Sequence, residues 1–487
     1  MEARCGMKIA MCASEVVPFA KTGGLADVAG ALPLALEKLK QEVIILMPFY
    51  KKALLGKIIP KIIYPGILST KLGKDINPVR NTESLSEKNK ISNGVKVYFI
   101  RNDKYFNRDG LYGTSKGDYP DNLERFSYFA LKCLGLLKKI EFKPDIIHVH
   151  DWQAAFIPVY LKTRFCSEPF YKDCKTLLTI HNLAYQGLFA REEFPKLGLD
   201  WSLFNMEQLE FYGKVNILKG GIVFSDCINT VSPTYAGQIQ SKDFGCGLEG
   251  VLAKRRDCLF GILNGLDYSI WDPSIDKFIA ARYNIENLKD KYKNKQELQK
   301  VCGLGKNLKV PMLGMVSRLA EQKGLDILSE AFDEICKLNL QLVILGTGDE
   351  KYHKLLEEKS KKFPKVFRLY LKFDDPLAHK IYAGSDIFLM PSKYEPCGLG
   401  QMISLKYATV PLVYKTGGLA DTINKDNGFI FDNYTASGLV ATVKEAVSLY
   451  KDKKKWQEKI KIGMMSNFSW QESAKKYIQL YQKMMSG

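Results

Sequence analysis

Short runs of apolar residues recur along this chain, separated by stretches whose apolar positions fall three and four apart. The runs predict buried strands and the intervening spacing predicts amphipathic helices, so their alternation implies βαβ units and parallel sheets. In the first half the runs are Lys8–Cys12, Glu42–Met47, Val95–Ile100, Asp145–Val149 and Thr176–Ile180, with a helix predicted over Leu25–Leu39. In the second half they are Val310–Val316, Gln341–Leu345, Val366–Leu371, Asp386–Met390 and Val410–Tyr414. From Ala441 to Met485 the pattern is helical and amphipathic, with Phe468 and Trp470 expected to anchor the last helix by packing. Asn77–Asn93 has little periodicity and reads as a mobile surface insertion.

A chain of 487 residues exceeds what one core usually supports, about 250–300 residues, so two domains are expected. The junction falls near Asn264-Gly265, after the strand-like Leu259–Leu263. The division is therefore 1–263 and 264–487, with the final helix packing back on the first domain.

Charge adds a question: 71 Lys+Arg against 53 Asp+Glu leave a net +18. Nucleic acid, an anionic surface or acidic substrates would all suit that excess. The basic residues lack interleaved aromatics and zinc-finger spacing, so a solvated Lys-rich exterior is expected and no nucleic-acid partner. Eleven cysteines without a C-x-x-C pair argue against a disulfide framework or structural zinc. With no apolar signal segment and no membrane-length apolar run, a cytoplasmic protein with no membrane partner is expected.

The most informative feature is a repeat. Lys-Thr-Gly-Gly-Leu-Ala-Asp occurs at Lys21–Asp27 and again at Lys415–Asp421, each time after a predicted strand and opening a predicted helix. Paired glycines let a backbone approach a ligand, the N–H groups of a helix start attract anions, and the lysine adds a positive charge. The bland alternative is a pair of tight strand-to-helix turns. Both copies fall at carboxyl ends of strands, where open parallel sheets bind ligands, and together they favour one anionic ligand shared by two facing domains.

The string from Met7 to Leu25 resembles the start of bacterial glycogen synthases and plant starch synthases. The resemblance continues in order through His150-Asp151-Trp152-Gln153, His181–Gly187, Asn229–Pro233, Leu263–Asp267, Ser317-Arg318-Leu319, Gln322-Lys323-Gly324 and Glu395–Leu399. Only Asn77–Asn93 lies outside it. It implies the α/β GT-B architecture of two Rossmann-like domains with an interdomain cleft. It also implies a retaining, metal-independent transfer of glucose from ADP-glucose to the non-reducing end of an α-1,4-glucan, with no cofactor.

Such a transfer needs neutralisation of the departing diphosphate, support for an oxocarbenium-like sugar and a positioned acceptor hydroxyl. The sequence has no D-x-D triplet to seat a divalent cation, so side-chain cations must serve. By resemblance, Arg318 and Lys323 bind the diphosphate and Lys21 joins them. Asp151 lines the glucose and acceptor region, His181 contacts glucose near its anomeric carbon, and Glu395 balances sugar charge or holds hydroxyls. Thr22, Gly23, Gly24, Asn264, Gly398 and Leu399 are expected at the substrate, and the Thr416, Gly417, Gly418 and Leu419 backbone at its phosphates. Cys397 lies inside the substrate motif and is read as packing there. Phe373 is open between stacking on the base and lying in the core. His148, His150 and Asp151 invite a metal reading, but strand alternation points Asp151 away from the two histidines. Where related transferases carry a second Glu eight positions after the first, this chain has Ile403. The competing readings are a two-domain transferase using UDP-glucose or a different sugar with a small acceptor, a phosphorylase with pyridoxal, and a non-catalytic nucleotide- or glucan-binding protein.

Overall fold

Strands that are apolar on both faces are stable only with helices on both sides, and each predicted run forms such a strand here, to within two residues at its ends. The computed structural model describes residues 6–51, 61–64, 67–72 and 94–486; the expected insertion Asn77–Asn93 lies outside them. The chain divides into two units, Met1–Val231 with Ala236–Gly265 and Trp470–Gly487, and Ser232–Tyr235 with Leu266–Ser469.

The main sheet of the first unit contains β1 (Lys8–Cys12), β2 (Glu42–Pro48), β3 (Lys61–Tyr64), β4 (Ile67–Leu72), β5 (Val95–Ile100), β6 (Ile146–His150), β7 (Lys175–Ile180), β8 (Cys227–Thr230) and β9 (Leu259–Gly261). Their order is β9-β8-β7-β6-β1-β2-β5-β4-β3. All pairings are parallel except those of the β3–β4 hairpin and of β4 with β5. The sheet of the second unit contains β10 (Met312–Val316), β11 (Gln341–Leu345), β12 (Phe367–Tyr370), β13 (Ile387–Met390), β14 (Val410–Tyr414) and β15 (Phe429–Phe431). It is parallel throughout, in the order β12-β11-β10-β13-β14-β15. The strand order thus reverses between β1 and β6 in one unit and between β10 and β13 in the other. Those reversals are where open α/β sheets leave a crevice beyond the strand ends.

A buried aspartate fixes each reversal. Asp145, just before β6, accepts the Lys8 backbone N–H of β1 at 2.8 Å, and Asp386, just before β13, accepts the Met312 N–H of β10 at 2.8 Å. The second aspartate is also neutralised. Lys295 Nζ lies 2.6 Å from Asp386 Oδ2 and donates to Val310 O at 2.7 Å and Tyr450 Oη at 2.9 Å.

The chain passes into the second unit after Gly265 and returns to the first at Trp470. In Trp470–Ser486 the residues Trp470, Ala474, Tyr477, Leu480, Tyr481 and Met484 are buried, one helical face against the first unit. Tyr477 and Tyr481 bond to Asn229 at 3.2 Å and His148 at 2.8 Å, tying that helix to β8 and β6. Ser232–Tyr235 in turn goes with the second unit, where Asp421 accepts the Thr234 N–H at 3.1 Å and its hydroxyl at 2.6 Å.

Lys295→Met should cost about 3–5 kcal/mol, because it strands the Asp386 charge in the core. Lys444→Met, which removes only an exposed partner of Glu334, should leave stability almost unchanged. Urea unfolding midpoints of the two variants check the contrast; equal midpoints would contradict it.

Candidate active site

In the first unit β1 runs directly into Ser14-Glu15, and Glu15 is 3% exposed. A buried carboxylate needs donors, and the following turn supplies them. Glu15 Oε2 accepts the backbone N–H groups of Thr22 and, at 3.3 Å, Gly23. Its Oε1 accepts the Thr22 and Tyr112 hydroxyls, both at 2.6 Å. The carboxylate thereby shapes the Lys21–Gly24 turn that opens the helix Gly24–Lys38. Lys21 Nζ pairs with Asp27 at 2.7 Å and stays half-exposed. A Cβ on Gly23 or Gly24 would meet nothing within 4 Å. The first amides of a helix have no partner within it, so this turn presents an open, positively polarised helix end beside a lysine.

The carboxyl ends of β6 and β7 carry Asp151 and His181. Asp151 takes a left-handed conformation, φ 53°, and its Oδ1 accepts the His181 N–H at 2.7 Å. Burial pushes its carboxyl up to about 7 against the backbone donors of His181 and Asn182, and the nearby Glu15 charge adds in the same direction. His148 and His150 share one face of β6, their rings 4.2 Å apart, and His150 Nδ1 lies 3.0 Å from His181 Nε2. Burial holds His148 and His181 down to about 3 and His150 well below the usual imidazole range, so all three are neutral near pH 7. Trp152 is buried edge-on to Phe126, with ring centroids 5.0 Å apart, and serves in packing.

In the second unit the loops after β10 and β13 are knitted together. Arg318 is exposed and donates to Gln322 Oε1 at 3.0 Å. Gln322 donates through its side chain to Tyr394 O at 3.3 Å and accepts the Lys393 N–H at 2.9 Å. Next to it, Lys323 Nζ lies 2.6 Å from Glu395 Oε2, which also accepts the Ser392 hydroxyl at 3.1 Å. Glu395 is almost fully buried, so its charge is balanced by a lysine that is itself mostly covered.

The second copy of the heptapeptide differs from the first. A Cβ on Gly417 would sit 2.0 Å from Glu395 O, and one on Gly418 2.1 Å from Cys397 O. The Gly418 N–H donates to Glu395 O at 3.1 Å and the Leu419 N–H to Thr416 O at 3.0 Å. Leu419 itself is in the core with Leu405, Val413 and Ile423. These glycines allow the backbone of Glu395–Cys397 to pack close, and the Gly418 and Leu419 amides are committed to carbonyls within the protein.

Lys21, Thr22, Gly23 and Gly24 thus share the end of the first sheet with Asp151 and His181. Arg318, Lys323 and Glu395 share the end of the second sheet with Cys397, Gly398 and Leu399. Cys397 is buried and its carbonyl accepts the Gln401 side chain at 3.1 Å; Leu399 precedes the helix Gly400–Lys406. Thr416 is fully buried under this loop. Asn264 is buried beyond β9, and its Oδ1 has no partner among the described residues. Phe373 is 88% exposed beyond β12, which removes the core alternative. Sequence reasoning missed the roles of Glu15, Tyr112, His150, Gln322 and Ser392. The signal for Glu15 was available, since an acidic residue directly after a central strand sits at a sheet's ligand end.

The model of the starch synthase catalytic domain matches residues 8–254, and that of glycosyl transferases group 1 matches residues 299–462. The glycogen synthase of Geotalea daltonii is 48% identical over 99% of both chains. That of Syntrophotalea carbinolica is 46% identical over 98% of this chain and 99% of its own. Among solved structures, the catalytic domain of starch synthase IV from Arabidopsis thaliana, bound to ADP and acarbose, is 33% identical. It covers 99% of this chain and all of its own, with a TM-score of 0.84. Sucrose-phosphate synthase from Thermosynechococcus elongatus, 14% identical with a TM-score of 0.58, shares the fold.

Gly418→Ala should destabilise by about 1–3 kcal/mol through overpacking, whereas Gly23→Ala should leave stability nearly unchanged. Thermal unfolding of the two variants separates them; a stable Gly418→Ala would contradict the close packing. Acid should also weaken the fold here. The unfolded imidazoles take up protons near pH 6.5 and the folded ones only far lower, so their stabilisation is complete above about 6.5 and lost as pH falls. Asp151 opposes this, because its folded carboxyl keeps a proton that an unfolded aspartate releases near pH 4. Asp151→Asn should therefore steepen the loss of stability between pH 7 and 5, read as urea midpoints; an equal or shallower loss would contradict it.

Proposed function

The chain belongs to the glycogen and starch synthase family of glycosyltransferases, and from that membership we propose that it transfers glucose from ADP-glucose to the non-reducing end of an α-1,4-glucan. The anomeric configuration is retained and ADP is released. The observation that carries the donor side is the Arg318 and Lys323–Glu395 group at the strand-order reversal of the second sheet. Two cations with fixed partners there suit a diphosphate that gains charge as the C1–O bond breaks. Lys21 and the open helix start at Gly24 add further anion-binding capacity, and Phe373 offers an exposed ring to the base.

On the sugar side, His181 is neutral and works as a hydrogen-bonding group rather than a proton donor. Asp151 has one oxygen committed to the His181 N–H and a carboxyl held up by burial, which makes it a poor covalent nucleophile. This supports same-face attack. The acceptor hydroxyl forms its bond to C1 as the diphosphate leaves, and its proton passes to the departing phosphate oxygen. Asn264, Gly398, Leu399 and the Thr416–Leu419 segment are proposed substrate contacts, the last through atoms other than the Gly418 and Leu419 amides. Among the described residues no helix is long and apolar enough to cross a membrane; a cytoplasmic site of action is part of the proposal.

Glucose incorporation into glycogen, with ADP-glucose and UDP-glucose in parallel and EDTA present, tests the reading. Transfer from ADP-glucose that survives EDTA is expected; transfer only from UDP-glucose would overturn the donor, and none from either would overturn the activity. Arg318→Ala should lower kcat by about 10²–10³-fold with folding intact, since the side chain is exposed. Lys323→Ala should lower both kcat and stability, because it leaves the Glu395 carboxylate buried without its cation. The double variant Lys323→Met/Glu395→Gln should recover stability without activity. Near-normal turnover in either single variant would remove the leaving-group role.

A further inference from the structure

Around β6 the described residues hold a continuous set of buried polar side chains whose protons can be followed atom by atom. Thr179 Oγ1 donates to Asn229 Oδ1, so its single proton is committed there. The same oxygen lies 2.5 Å from His148 Nε2 and must accept from it. His148 therefore carries its proton on Nε2, and its bare Nδ1 accepts the Tyr481 hydroxyl at 2.8 Å. Asn229 Nδ2 donates in turn to Tyr477 Oη at 3.2 Å. The ring of His150 lies tilted against this fixed imidazole, centroids 4.2 Å apart, and has one bond of its own, Nδ1 to His181 Nε2 at 3.0 Å. His150 is fully buried, and its Nε2 has no partner among the described residues.

A neutral imidazole has one N–H and one bare nitrogen. If His150 carried its proton on Nε2, that N–H would be buried without an acceptor, the rarest and costliest kind of orphan. With the proton on Nδ1, the unpartnered atom is only a bare acceptor. The N–H then points at His181 Nε2, which must itself be bare. We infer that His150 is a positioning residue that holds His181 as its Nδ1–H tautomer, leaving that N–H as a fixed donor to an acceptor oxygen of the bound hexose. Burial of both rings, which keeps them neutral, agrees with this assignment. A neutral imidazole left free in water would not be held to that tautomer. The inference rests on the proposed glucosyl transfer only for the identity of the acceptor oxygen.

Nitrogen-15 NMR of the full chain labelled at histidine tests it without substrate. The chain has five histidines, so single His→Gln variants assign the spectrum. Bare and proton-bearing ring nitrogens give well-separated signals, and His181 is expected to show a bare Nε2 and a protonated Nδ1. A protonated His181 Nε2 in the unsubstituted protein would overturn the inference, whatever the variants do. His150→Asn, whose amide can take the place of Nδ1–H, should preserve the tautomer. His150→Gln should release it and lower kcat about tenfold or more with a smaller change in KM. An unchanged His181 tautomer in His150→Gln would also overturn it. If the tautomer is as stated and no glucosyl transfer is found, the proposed function fails and this inference stands. If transfer is found with the opposite tautomer, the proposed function stands and this inference fails.

Discussion

Asp145 and Asp386 make the same bond in the two units. Each precedes the fourth parallel strand of its sheet and accepts, at 2.8 Å, the first N–H of the strand where that sheet begins. The bond sets two strands side by side although their following chains leave in different directions along the sheet. Wherever that happens, the carboxyl ends of the pair stay uncovered by the crossover connections. Glu15 and Asp151 stand at one such place, Arg318 and Glu395 at the other. These loops lie open because the crossover connections leave them so, and the aspartates fix which strands pair there.

Around each opening the local solutions differ. In the first unit a buried carboxylate, Glu15, gathers the backbone donors of the Lys21–Gly24 turn and leaves the helix end exposed. In the second unit the same heptapeptide turns its glycines inward, where they let Glu395–Cys397 lie against the turn and hold Glu395 beside Lys323. One sequence leaves open space around its glycines in one place and packs closely against backbone in the other. What separates the two outcomes is the neighbouring loop: it carries a carboxylate aimed at the turn in the first unit and a carbonyl-rich backbone in the second.

Electrostatics divides the two groups as well. The second unit places cations against a single carboxylate, suited to a leaving group that gains negative charge. The first unit keeps its three histidines neutral by burial and its Asp151 carboxyl raised. Burial thus keeps this group free of permanent imidazolium charge without changing the residue types.

The strands were legible because parallel strands buried on both faces must be continuous apolar runs, and the order of motifs identified the family. Two strands were not legible: β8, next to an edge, carries Asn229 and Thr230 in a buried network, and the edge strand β15 is only three residues long. Arg318, Lys323, Glu395, Asp151 and His181 could be named from the chain, because each follows a strand or opens a helix within a recognisable string. Their partners could not. Glu15 with Tyr112, Asp421 with Thr234, and Tyr481 with His148 are pairs 97, 187 and 333 residues apart. A hydrogen bond over such separations leaves no periodicity and no spacing rule in the sequence, so only the packed structure decided which donors meet which acceptors.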